Sequence, residues 1–188
     1  MKKVFMIHGF NGEPNGGWRP WLMGKLGRKG IWAYALDMPT PDKPKLNEWV
    51  EAINKAVGIP TEETILIGHS LGVPTILHYY LESLSEKSIV GGVILVSGPI
   101  HILEKDKYSI IDHFMDKAFD FEHMKKVCRK FSVIHGDDDP NVPFEHAREL
   151  SDKLSCELVS VSGGKHLSGS GGFYEVPQIL DSLEKMIF

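Results

Sequence analysis

Cysteine is scarce in this chain of 188 residues: Cys128 and Cys156 are the only two. They are too few for a disulfide framework and too far apart for metal-ligand spacing, so both read as reduced packing thiols of the kind found in a cytoplasmic protein. A surplus of either charge is missing too. Lys and Arg number 21 against 25 Asp and Glu, for a net charge of -4, and no basic run marks a nucleic-acid footprint. Nucleic acid and anionic membrane are therefore excluded as expected partners. Long apolar runs are the third absence. Met1-Lys2-Lys3 leads into an apolar stretch, but His8-Gly9 ends it well short of the roughly 7–15 residues of a signal-peptide core. No segment approaches the ~18 apolar residues of a membrane span, and the expectation is a soluble cytoplasmic protein.

Hydrophobic residues make up 42% of the sequence, enough for one core in one domain, 1–188. Short apolar runs at 4–7, 31–36, 64–67, 92–96, 131–134 and 157–161 have the length and β-branched content of buried strands. Helical spacing appears between them at 18–29, 46–57, 71–84 and 144–154. Alternating strands and helices predict an α/β fold with a mostly parallel sheet of about six strands, covered on both faces. The segment 99–130 is too long for a plain connection. Its Ile110, Ile111, Phe114, Met115 and Ala118 predict one or two inserted helices, whose Phe and Met residues either pack in the core or line an acyl pocket.

Thr64-Ile65-Leu66-Ile67 runs directly into Gly68-His69-Ser70-Leu71-Gly72, and a predicted helix follows. This is G-x-S-x-G at a strand-to-helix turn, the context in which the pattern acquires chemical meaning. Such a turn is sharp, its glycines admit neighbouring backbone, and it lifts Ser70 Oγ above the sheet edge. The helix then directs its N-terminal amides at charge developing during acyl transfer.

A serine hydroxyl needs a base at neutral pH, and nine histidines are available. His8 and His135 close strands and His69 sits inside the elbow, so each is expected to pack or hydrogen-bond beside the site. His78, His113, His123 and His146 fall in helical stretches or the insert and read as solvent-facing or rim residues. His101 is the runner-up. His166 follows Ser162-Gly163-Gly164-Lys165 after the last strand, where a loop can reach back over the sheet, and is the expected base. An acid among Asp137, Asp138 and Asp139 completes the chain order Ser, Asp, His of an α/β hydrolase. Alternation along an extended segment cannot separate Asp137 from Asp139, although Pro140 biases Asp139 toward an extended backbone. The oxyanion donors are expected to be the backbone N–H groups of Leu71 and of Phe10, after His8-Gly9.

His8-Gly9-Phe10, Trp18 and Trp21, Asp37-Met38-Pro39, the Ser70 elbow, Val96-Ser97-Gly98, Asp139-Pro140 with Val142-Pro143, and Gly164-Lys165-His166 occur in this order. Together they resemble the small α/β-hydrolase-fold serine hydrolases related to retinoblastoma-binding protein nine, over nearly the whole chain. The resemblance implies Ser70 as nucleophile, Asp139 as acid, His166 as base and a minimal sheet without extra N-terminal strands. It leaves Asp137 and Asp138 as loop-solvated or turn-stabilising groups. Lys165 departs from the glycine that commonly precedes the histidine in that family.

The expected function is hydrolysis of a small acyl ester, thioester or amide through an acyl-enzyme. Carboxylic esters come first, amides and peptides stay open, and neither cofactor nor metal is expected. The alternative is a non-catalytic binding protein that retains the fold. A metal site built from the three aspartates with His135 or His146 lacks recognisable ligand spacing. Oligomeric state is not legible in the sequence.

Overall fold

A computed structural model describes residues 1–83 and 88–188. In chain order the elements are β1 (Lys3–Ile7), α1 (Arg19–Arg28), β2 (Trp32–Ala35), α2 (Leu46–Val57), β3 (Thr64–His69), α3 (Gly72–Ser83), β4 (Gly92–Val96), α4 (Phe121–Val127), β5 (Phe131–Gly136), α5 (Phe144–Leu154), β6 (Glu157–Val161) and α6 (Pro177–Ile187). The six strands form one sheet in the order β2-β1-β3-β4-β5-β6, and each neighbouring pair is parallel. The fold is that of an α/β hydrolase.

The central strands read as continuous apolar runs because both faces are covered. Along β1, Val4 and Met6 point to one side and Phe5 and Ile7 to the other; Ile65, Ile67, Ile94, Val96 and Ile134 share the first side, and Leu66, Val93, Leu95 and Val133 the second. Leu22 and Leu26 of α1 and Ile179, Leu183 and Met186 of α6 close the first face. Trp49 and Ile53 of α2, Ile76 and Leu77 of α3, and Leu150 and Leu154 of α5 close the second. The chain steps outward from β1 to β2, then returns past β1 to β3. With right-handed crossovers that reversal places α1 on one face and α2 on the other. It also leaves a crevice beyond the C-terminal ends of β1 and β3, the switch point at which open parallel sheets bind ligands.

Two elements differ from the sequence reading. The Ile110-to-Ala118 spacing predicts an α-helix, but Asp106–Phe114 forms 3-10 turns. Three residues per turn align Tyr108, Ile111 and Phe114 rather than an i, i+4 stripe, so Ile111 and Phe114 are buried while Ile110 and Ala118 are exposed. The second is α6, which periodicity did not single out. Leu84, the last position of the third predicted helix, lies outside the described residues. No helix among the described residues is long and apolar enough to cross a membrane.

Candidate active site

Ser70 stands between the last residue of β3 and the first of α3 with φ +54°, a left-handed conformation that a non-glycine residue adopts only under constraint. The constraints are visible. The Ser70 amide donates to the Val96 carbonyl at 2.9 Å and the Val73 amide to the Ser70 carbonyl at 2.9 Å. A Cβ on Gly68 would lie 2.7 Å from the Gly72 carbonyl oxygen, and one on Gly72 would run into the Ile7 carbonyl. The two glycines of the motif are thus required by backbone approach at these two points.

His166 lies in the loop after β6, and its Nε2 is 2.9 Å from Ser70 Oγ. Its Nδ1 is 2.8 Å from Asp139 Oδ2. With Nδ1–H donating to the carboxylate, Nε2 is left as an acceptor facing the serine hydroxyl. Asp139 has no exposed side-chain surface. Its Oδ1 accepts from the Asn141 amide at 2.8 Å and the Val142 amide at 3.2 Å, a local turn that Pro140 pre-sets. His135 Nε2–H donates to the Val142 carbonyl at 3.1 Å, and the same nitrogen lies 3.3 Å from Asp139 Oδ2.

The other two aspartates have a different task. Asp137 Oδ1 accepts from the Gly163 amide at 2.9 Å and Asp138 Oδ1 from the Lys165 amide at 2.6 Å. Both carboxylates hold the loop that carries His166. Lys165 has φ +47°, a left-handed conformation that favours glycine. Above it, the His69 Nε2–H donates to the His166 carbonyl at 2.9 Å and the Trp18 indole N–H to the Leu167 carbonyl at 3.0 Å.

Phe10 follows Gly9 in the loop after β1, and Leu71 follows Ser70 in the elbow. A Cβ on Gly9 would be 2.7 Å from Ser70 Cβ, which sets the β1 loop directly against the serine. Among the described residues neither the Phe10 nor the Leu71 amide donates to a backbone acceptor. His8 shapes this loop: its Nδ1–H donates to the Gly9 carbonyl at 2.8 Å and its Nε2 accepts from the Met38 amide at 3.3 Å.

Several histidine expectations need correction. His78 and His146 are buried rather than solvent-facing. His78 Nε2 bonds the Phe114 carbonyl at 2.8 Å, and His146 Nδ1 accepts from the Ile100 amide at 3.1 Å. Burial, then the nearby His101 and His135, push His146 down to about 4. Burial likewise lowers His8, His135 and, most strongly, His69, where the adjacent His166 acts in the same direction. His101 is exposed and pairs with Glu149 at 2.8 Å, away from Ser70. Of the two thiols, Cys128 is buried, and burial pushes Cys156 up to about 11.

Ser70 and His166 open into a cleft of about 890 Å³, floored by Phe10 and Leu167 and walled by Leu103, Tyr108 and Ile111 of the insert. The Phe and Met residues of the insert pack in the core instead of lining this cleft: Phe114, Met115 and Met124 are part of it, and Phe119 and Phe121 lie against it. The insert is latched to the acid loop: Tyr108 Oη donates to Asn141 Oδ1 at 2.7 Å, and Lys105 Nζ to the Pro140 carbonyl at 2.7 Å.

Comparison with known proteins follows the geometry. The serine hydrolase family profile matches residues 4–185. YdeN of Bacillus subtilis (strain 168), named as a hydrolase, is 34% identical over 182 residues, covering 97% of this chain and 94% of YdeN. The serine hydrolase RBBP9 of Rattus norvegicus is 25% identical over 168 residues, 89% of this chain and 86% of its own. The crystal structure of the B. subtilis ydeN product superposes with a TM-score of 0.94 at 32% identity, covering 100% and 99% of the two chains. Est1E of Butyrivibrio proteoclasticus, solved with ferulic acid bound, shares the fold at a TM-score of 0.69 and 16% identity, over 98% of this chain and 90% of its own.

Proposed function

Because the chain belongs to the serine hydrolase family, we propose that it cleaves a small acyl ester, thioester or amide through a Ser70–His166–Asp139 triad and an acyl-enzyme. Carboxylic esters are the favoured class. The observation that carries this reading is the relay of 2.9 Å and 2.8 Å from Ser70 Oγ through His166 to Asp139, which opens into a cleft of small-molecule size.

His166 Nε2 takes the Ser70 proton as Oγ attacks the acyl carbon, and returns it to the departing alkoxide, thiolate or amine. Asp139 keeps the proton of His166 on Nδ1 and stabilises the imidazolium that forms. The Phe10 amide in the β1 loop and the Leu71 amide at the α3 N-terminus receive the tetrahedral oxyanion. Water activated by the same His166 then releases the acid and restores Ser70. The partner is a small acyl substrate, and the steps call on no cofactor.

Stopped-flow hydrolysis of 4-nitrophenyl esters of graded acyl length tests this. A burst of nitrophenolate stoichiometric with enzyme, lost in Ser70→Ala, is the expected result for an accumulating acyl-enzyme. Turnover that survives in Ser70→Ala sinks the reading.

A further inference from the structure

Arg19 begins α1 and is 6% exposed. Its Nη2 donates to the Glu13 carbonyl at 2.8 Å, and its guanidinium carbon lies 5.6 Å from the centroid of the Trp18 ring. Its Nε is buried with no acceptor. Among the described residues the carboxylate that acts on the guanidinium is Glu13, which is exposed and forms no ion pair with it. Burial pushes Arg19 down to about 10, so it is still a cation at neutral pH. A buried cation is destabilising unless an anion or a full set of acceptors surrounds it. Arg19 has neither.

Its surroundings say where the missing anion belongs. Arg19 lines the same cleft as Ser70 and His166. The other cation in that wall is Lys107, whose Nζ lies over the Tyr108 ring at 4.6 Å, and Glu13 is the one acidic residue of the lining. The lining side chains thus carry one surplus positive charge, in a chain whose net charge is -4, with the buried Asp139 carboxylate behind His166. The guanidinium is also held in place: a Cβ on Gly16 would lie 2.9 Å from Nη2, so the Glu13-to-Gly17 loop clasps it closely. A fixed planar fork of N–H groups is suited to a carboxylate. If Arg19 served only to staple this loop, one N–H to the Glu13 carbonyl would do so, and a buried charge in the cleft wall would be unexplained.

We infer that the cleft selects acyl substrates that carry a carboxylate remote from the scissile carbonyl, and that Arg19 is the partner of that carboxylate. The inference rests on the acyl-hydrolase reading of the same site, and it names the substrate class for it.

Calorimetric titration of the Ser70→Ala chain with matched pairs tests it without requiring turnover. One pair carries the anion on the acyl side, mono-4-nitrophenyl adipate against its methyl ester; the other carries it on the leaving group, 4-acetoxybenzoate against its methyl ester. In at least one pair the carboxylate should bind about tenfold more tightly than the neutral ester, the size of one charge-assisted hydrogen bond. Arg19→Gln, added to the Ser70→Ala chain, should erase the difference, and Arg19→Lys should retain part of it. Equal binding of acid and methyl ester in both pairs overturns the inference, and this comparison needs no substitution at Arg19. A preference that survives intact in Arg19→Gln also overturns it, assigning the anion to Lys107 instead. Failure of the hydrolase reading shows separately, as absence of turnover of every ester by the chain with Ser70 intact.

Discussion

Asp137, Asp138 and Asp139 are three like charges in a row with two different jobs. Asp139 bonds His166 Nδ1, whereas Asp137 and Asp138 accept the Gly163 and Lys165 amides. An asparagine at 139 can present its amide N–H₂ to His166 and force the wrong tautomer, so Asp139→Asn should lower kcat by a factor on the order of 10⁴. Asparagine at 137 or 138 still offers an oxygen to a backbone amide, and kcat should change by less than about tenfold; alanine there should cost about 1 kcal/mol of stability by urea unfolding. The reverse ranking in steady-state assays would assign the acid to another aspartate. Asp139 could not be separated from Asp137 by alternation alone, because the deciding facts are a turn at Pro140 and a loop 26 residues away. The same holds for His78 and His146, whose burial depends on the Phe114 carbonyl and the Ile100 amide. Partners that far along the chain leave no local pattern.

Elements that announce themselves by periodicity were legible. The predicted helices at 46–57 and 144–154 coincide with α2 and α5, and each strand run overlaps its observed strand, although β1 begins at Lys3 and β3 and β5 run on to His69 and Gly136. α6 carries its own stripe in Ile179, Leu183 and Met186 with Pro177 at its start, but Val176 precedes it where a Ser, Thr, Asp or Asn would have marked a cap. The insert was legible in position and not in pitch, since Tyr108, Ile111 and Phe114 align only on a 3-10 turn. At this scale one close contact relevant to chemistry is that between the β1 loop and the elbow. Gly9→Ala would place a Cβ 2.7 Å from Ser70 Cβ and 3.1 Å from Oγ. Displacing the Phe10 amide by even a fraction of an ångström should lower kcat about 100-fold, while far-UV circular dichroism keeps the native helix content. A Gly9→Ala chain with wild-type turnover would remove Phe10 from the oxyanion site.

At the scale of the molecule, strands β1, β3, β5 and β6 each send one loop to the same edge of one sheet, and the site exists only where those loops meet. The same packing keeps His8, His69, His135 and His146 buried with their proton affinity lowered. A histidine that binds its proton more weakly folded than unfolded adds proton uptake to the unfolded state. Stability therefore falls as pH drops below the ordinary value of 6.5, and for His146 the loss continues to about pH 4. Each such group contributes at most about 1.4 kcal/mol per pH unit. Urea midpoints should decline steeply over this window, and His146→Gln should flatten the slope; a midpoint independent of pH there would contradict the burial of neutral imidazoles. The central claim, that this fold presents Ser70 as a nucleophile activated by His166, is tested most directly by exposing the native chain to a fluorophosphonate and mapping the adduct by peptide mass spectrometry. The account predicts a single adduct on Ser70, absent in Ser70→Ala and strongly slowed in His166→Ala. A native chain left unlabelled, or labelled at another residue, would contradict it.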